Sequence, residues 1–283
     1  MADYTIKFSV DGRTILQSEI LDMELSRYHH VFDVFASKGI DINLNGKKQS
    51  LSELKALSLD DAKLALAQTR ESIGKPKTLE LFKPEIERSD EMWQTIAKNA
   101  DPNQPLQQAI VEVETDNISL IQFMLFNQSL AKENNLYLPS MIHPEHYYFD
   151  AQKGGRQVIM ETFGMYKDPS YLDLQPAAIK KYPITPDADD DLIMAGDTFL
   201  ADSGINTTIV GMHQLKNKPN GMKVKLGVFL PQSAPKEILE GHKWHLMVEF
   251  NNGLHFAVKK QPNFFQKMIF KTVLKKLKKD MKK

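Results

Sequence analysis

Apolar and polar positions alternate along residues 4–10 and again along 12–17, on either side of Asp11-Gly12. That spacing predicts an opening β-hairpin, because successive strand side chains point to opposite faces. From Ser58 the period lengthens. Leu59, Ala62, Leu64, Leu66 and Ala67 recur as on a helix until Gly74 and Pro76 interrupt them. Residues 75–106 carry four prolines and many charges, which predicts irregular structure with a short helix near 91–97. This stretch is also the best candidate for a domain boundary. A second helix is predicted over 117–132, capped by Thr115 or Asp116. Ile118, Ile121, Met124, Leu125 and Phe126 spread over several of its faces, so it is expected to be well buried.

Beyond that helix the chain reads as hairpins. Residues 146–153 and 156–163 flank Gly154-Gly155, and 207–215 and 222–230 flank Lys218-Pro219-Asn220-Gly221. The last stretch differs. Phe264, Phe265, Met268, Ile269, Val273, Leu274 and Leu277 fall on one side of a helix, with Lys267, Lys271, Lys275, Lys278 and Lys282 on the other. Two readings fit: a terminal helix docked on its own domain, or a helix lying on an anionic membrane surface.

Composition then narrows the function classes. The 283 residues suffice for a sizeable core, and 36 basic residues balance 36 acidic ones. That balance argues against nucleic acid as a partner. With no cysteine there are no disulfides, thiolate metal sites or cysteine nucleophiles. No basic stretch with an apolar core opens the chain and no run reaches eighteen apolar residues, so a cytoplasmic protein is expected.

The candidate chemistry lies among histidines and glutamates of the second half. If Gly154-Gly155 closes its hairpin as a two-residue turn, Tyr148 faces Glu161 and His146 lies diagonal to Glu161 on one sheet face. There the two could share a metal ion or simply hydrogen-bond. His245 and Glu249 depend on secondary structure. On a helix they sit one turn apart and can hold one ion; on a strand they lie about 13 Å apart, too far. Trp244, Leu246, Val248 and Phe250 alternate, and Asn251-Asn252-Gly253 before residues 254–258 resembles a hairpin turn, so the pattern leans toward strand while the metal site requires helix. His213 on the 207–215 strand suits a substrate hydrogen bond or a proton transfer. His29, His30 and His255 read as structural or surface residues. The acidic run Asp187, Asp189, Asp190 and Asp191 lacks the glycine and glutamate of a calcium loop and reads as solvated.

Taken in order, these pieces resemble the zinc-dependent 2,4-diacetylphloroglucinol hydrolase family. The resemblance spans roughly residues 110–260: the helix at 117–132, Tyr137, His143-Pro144-Glu145-His146, Glu161, His213, and His245-x-x-x-Glu249-Phe250-x-Asn252. It implies a helix-grip fold, in which a curved antiparallel sheet wraps a long C-terminal helix around an apolar cavity. It further implies zinc held by His146, Glu161, His245 and Glu249, with His213 and Tyr137 at the substrate. One residue fewer separates the two histidines of 143–146 than in that family, so His143 and His146 both qualify as ligand, and the other is free for a catalytic role. Val228 and Phe229 stand where the family carries a pocket tyrosine.

The expected architecture is therefore α+β: an N-terminal mixed region over 1–106 and a helix-grip-like, metal-binding domain over 107–283. The expected activity is hydrolysis of a carbon–carbon bond next to a ketone in a small acyl-aromatic or β-diketone-like substrate. The alternative is a non-catalytic helix-grip protein binding a hydrophobic ligand, in which His146 and Glu161 hydrogen-bond and the basic helix makes peripheral membrane contact.

Overall fold

The computed structural model describes residues 3–176 and 182–281. Among these the chain is α+β, built on one nine-stranded sheet whose paired strands are all antiparallel. In chain order its strands are β1 (Thr5–Val10), β2 (Arg13–Ile15), β5 (Gln107–Asp116), β6 (His146–Ala151), β7 (Gln157–Glu161), β8 (Ser170–Pro176), β9 (Leu192–Leu200), β10 (Asn206–Lys218) and β11 (Gly221–Leu230). A two-residue pair, β3 (Asn43–Leu44) and β4 (Lys47–Lys48), stands apart from it. In space the order is β2-β1-β5-β11-β10-β9-β8-β7-β6. The helices are α1 (Gln17–Ser37), α2 (Leu51–Lys55), α3 (Leu59–Ile73), α4 (Lys75–Leu81), α5 (Lys83–Lys98), α6 (Leu120–Glu133), α7 (Tyr137–Ile142), α8 (Lys236–Ala257) and α9 (Phe264–Met281).

The opening hairpin forms as expected, and the sheet carries it across the boundary placed near residue 106. β1 pairs with β5, Phe8 opposite Val113. One apolar cluster unites Phe8, Ile15, Ile20 and Trp93 with Val111, Leu226, Leu246 and Val248. A second gathers Tyr28, Phe32, Phe35, Leu66 and Phe82 against Tyr147 and Met160 of the β6–β7 hairpin. The first hundred residues thus cover part of the sheet that bears the histidines.

Three expectations are corrected here. Residues 75–98 are helical rather than irregular, because Pro76 and Pro84 sit in the first turns of α4 and α5, where a missing N–H costs no helical hydrogen bond. The helix predicted from 117 begins at Leu120 under Ser119, which forms a capping box with Gln122; Asn117 instead takes a left-handed turn, φ 60°. Only Leu120, Phe123 and Phe126 of α6 are fully buried. The turn after β6 is a 3-10 segment, Lys153–Gly155, so the hairpin register is also not the one a two-residue loop would set.

Residues 242–250 form the middle of α8. The strand-like alternation there arises because α8 is buried on nearly every side, from His242 through Leu254. Apolar residues then fall on several faces, Trp244, Leu246, Met247, Val248 and Phe250 among them, and a period of two is only a subset of them. Glycines bring α8 against the turn after β7. A Cβ on Gly241 would lie 1.8 Å from the Gly164 carbonyl oxygen, and one on Gly164 would lie 2.2 Å from the Ile238 oxygen.

Asp90 of α5 is half-buried with one carboxylate oxygen unpartnered. Burial, with Asp202 nearby, raises its pKa to about 6. The raised folded-state value means that its stability contribution falls as pH climbs from about 4 through about 6. Asp90→Asn is expected to stabilise the protein above that window, by on the order of 1 kcal/mol after allowing for solvent screening. Below about pH 4 it should make no difference. Thermal melts of both proteins across that range test this.

Candidate metal centre and cavity

The β6–β7 hairpin carries the first half of the site. His146 pairs directly with Glu161, whereas Tyr148 pairs with Met160. Tyr147 is thus an extra residue, a bulge that turns His146 onto the face of Glu161. The expected diagonal becomes a direct opposition. Two arginines, one buried and one partly buried, lock this corner. Arg70 of α3, fully buried, donates to the Pro144 carbonyl (2.5 Å), to that of His146 (2.9 Å) and to Ser140 Oγ (3.3 Å). Its guanidinium also lies 4.6 Å over the Tyr147 ring. Arg27 of α1 grips buried Glu145 with two bonds, of 2.8 and 2.5 Å.

Helix α8 supplies the second half. His242, His245 and Glu249 recur at three- and four-residue spacing, hence on one face. The ring stack runs Phe163, His242, His245, His143, with centroid separations of 4.2, 5.1 and 3.9 Å. Asn252, last residue of the motif, donates to Glu24 Oε1 (2.6 Å) and to the Ile142 carbonyl (2.8 Å). It thereby ties α8 to the residue before His143.

The halves converge on three atoms. His146 Nε2 and His245 Nε2 stand 3.1 Å apart, and each lies 3.5 Å from Glu161 Oε2. Burial drives the nearby groups toward neutrality. It lowers His146 to about 3, His242 to about 3 and His213 to about 4, and takes His245 and His143 well below the ordinary histidine value. It raises Glu249 to about 7 and, with Glu249 and Glu145 adding repulsion, lifts Glu161 well above the usual carboxylate range.

Among the described residues His143, His146 and His245 form a group able to hold a metal ion, each offering one nitrogen within 4.8 Å of the others. Their hydrogen bonds distinguish the two candidates in the 143–146 stretch. The Glu145 N–H donates to His143 Nδ1 (3.1 Å), so in the neutral ring the proton sits on Nε2, the nitrogen left without a partner. His146 instead turns its Nε2 to His245 Nε2 (3.1 Å) and Glu161 Oε2 (3.5 Å), where a metal would be met.

A cavity of about 630 Å³ opens on this cluster. His146, Glu161, His213, His242, His245 and Glu249 line it together with Phe123, Phe126, Leu130, Ile159 and Phe250. His213 accepts the Gly227 N–H on Nδ1 (3.3 Å), which places its proton on Nε2. Of the remaining expected residues, His143 is completely buried behind His245 and does not line the cavity. Its ring packs on that of His245. Tyr137 opens α7, its N–H donating to Glu71 (3.0 Å), and likewise does not line the cavity. The acidic run is largely exposed, with Asp187 paired to Lys225, but Asp190 is buried.

His242, to which the sequence reading assigns no role, also lines the cavity. The pattern His-x-x-His-x-x-x-Glu would have found it, once read as one helical face. The structure thus defines an α+β protein with a buried, histidine-rich cluster able to hold a metal at the wall of an apolar cavity. No protein-family model matches the chain, and no curated protein matches it either.

Proposed function

We propose that the protein is a zinc-dependent hydrolase that cleaves a carbon–carbon bond next to a ketone in a small acyl-aromatic or β-diketone-like substrate, on a helix-grip-like scaffold. The convergence of two imidazole nitrogens and one carboxylate oxygen carries this reading. Ligands about 2.0–2.2 Å from a tetrahedral ion are separated from one another by roughly 3.3–3.6 Å. The two separations of 3.5 Å fall on those edges, and the 3.1 Å between the imidazoles is slightly shorter, so the rings would part a little to admit the ion. The donor set suits zinc, and Glu161 has imidazoles rather than a lysine or arginine beside it. His146, Glu161 and His245 would hold the ion, and Glu249, one turn along α8 from His245, would complete four ligands.

Zinc bound there supplies Lewis-acid polarisation of an acyl oxygen and acidifies water. The chain's own residues do the rest. Phe123, Phe126 and Phe250 hold an aromatic body and exclude water. His213 presents its Nε2–H to the substrate. In the reaction water adds its hydroxyl to the acyl carbon, and the bond from that carbon to the ring breaks. The electron pair remains on the ring carbon, which takes up a proton, and the acyl part leaves as a carboxylic acid. His213 is placed to hand over that proton, and the proton that water loses on adding its hydroxyl replaces it, so the ring ends neutral as it began.

The 3.1 Å contact of His146 and His245 also favours a second reading, a ligand-binding protein in which the cluster is only hydrogen-bonded. Metal analysis of tag-free protein separates the two. One zinc per chain, with release of acetate from an acetylated phloroglucinol or a β-diketone, is expected. Protein that takes up no stoichiometric zinc after incubation with it would leave the binding reading standing.

A further inference from the structure

The strongest unassigned surface belongs to α9. Phe264, Phe265, Met268, Ile269 and Val273 are between 46% and 75% exposed, side by side on one helix. Only the neighbouring stripe is covered: Phe270 and Leu274 pack on the main apolar cluster. Isolated exposed apolar residues are ordinary on a protein surface, but five on one helical face are not. The docked-helix expectation therefore holds for one edge of α9, and the broad face beside it is uncovered. The side chains of Leu277, Lys278 and Lys282 lie outside the described residues.

Charge identifies what fits that face. Between Lys259 and Lys283 the sequence has ten lysines and one acidic residue, Asp280. Since the whole chain is balanced, this segment's excess of nine positive charges is matched by nine excess acids elsewhere. Lys267, Lys271, Lys275 and Lys276 are exposed around the apolar face. A second copy of this face would bring lysines against lysines. An anionic bilayer offers both complements at once: acyl chains for the phenylalanines and headgroup charge for the lysines. No described helix is long and apolar enough to cross a membrane, so the arrangement is one of lying on the surface.

We infer that α9 is a membrane-surface anchor that binds anionic lipid. It lies against β9, and β9 contributes Ile193, Met194, Ala195 and Thr198 to the cavity wall. Met194 is itself 38% exposed. The anchor therefore sets the cavity wall next to the bilayer, where an apolar substrate concentrates. The inference stands apart from the metal reading, and lipid binding is measured without zinc or turnover.

The test is sedimentation of the full chain with vesicles of phosphatidylcholine alone and of phosphatidylcholine mixed with phosphatidylglycerol. Binding to the mixed vesicles is expected to be ~10-fold or more the stronger, and to weaken as salt is raised. The double variant F265S/I269S should lose ~10-fold or more of that binding while melting like the parent. A charge variant, K267E/K271E, should lose the preference for anionic lipid. No vesicle binding, equal binding to both vesicles, or a double variant that binds as well as the parent overturns the inference. So does a stable dimer that F265S/I269S converts to monomer, since a second copy would then cover the face.

Discussion

Replacing Glu161 with glutamine is expected to lower zinc affinity by roughly 100-fold or more, while leaving the metal-free protein at least as stable as the parent. The two effects have different origins. Zinc bound by four protein ligands gains on the order of 12 kcal/mol, so one ligand accounts for about 3 kcal/mol. Glutamine keeps the shape of Glu161 but offers a neutral, weaker donor. In the metal-free protein, by contrast, the carboxyl is almost wholly buried and faces two neutral imidazoles. Burial holds that carboxyl protonated at a pH where the unfolded chain would ionise it; this opposes folding, and an amide avoids the cost. If Glu161 merely hydrogen-bonded the histidines, the signs would reverse: the variant would melt lower, and zinc uptake would not depend on it. Calorimetric zinc titration and thermal melts, run on the same two proteins, read both numbers.

The second large effect is expected from a residue that touches no substrate. Gly241→Ala places a methyl group 1.8 Å from the Gly164 carbonyl oxygen and 2.7 Å from its carbonyl carbon. Neither is the end of a flexible side chain, so the helix and the turn must separate. Overpacking a rigid contact of this kind costs about 3 kcal/mol, or roughly 6–12 °C in melting temperature for a chain of this size. The separation is also felt at the site. Glu161 lies three residues before Gly164 and His245 four residues after Gly241, so pushing the backbones apart widens the 3.5 Å gap between the two side chains. Zinc affinity should fall in step with stability. A G241A protein that melts like the parent would show that α8 and the turn after β7 do not meet as closely as described.

What could be read from the sequence, and what could not, follows from the range of the forces involved. The β10–β11 hairpin, the β1–β2 hairpin and α3 under its Ser58 cap were all legible, because turn residues and caps act over a few positions. Glu161 and His146 were placed on one face, but their direct opposition depends on a bulge at Tyr147 that no local pattern announces. Tyr147 bulges where its ring meets Arg70, which comes from 77 positions earlier in the chain. Helix α8 was harder still. Its strand-like alternation reflects burial on nearly every side, and only the tertiary structure says how many sides are buried. The pairing Gly164–Gly241 and the stack of His143 on His245 are likewise contacts between distant segments, invisible to spacing.

Arg70 and the β1–β5 pairing have one more consequence, for anyone wishing to move this site. The residues proposed to hold the metal all lie after position 106, which invites treating residues 107–283 as a self-sufficient unit. Cutting there would strip β5 of β1, one of its two neighbours, and leave an open strand edge. It would also remove both guanidinium clamps from the Pro144–His146 backbone and from Glu145. The site is therefore not a portable module. Grafting it onto another scaffold means carrying α1 and α3 along, or rebuilding their two arginines from new directions.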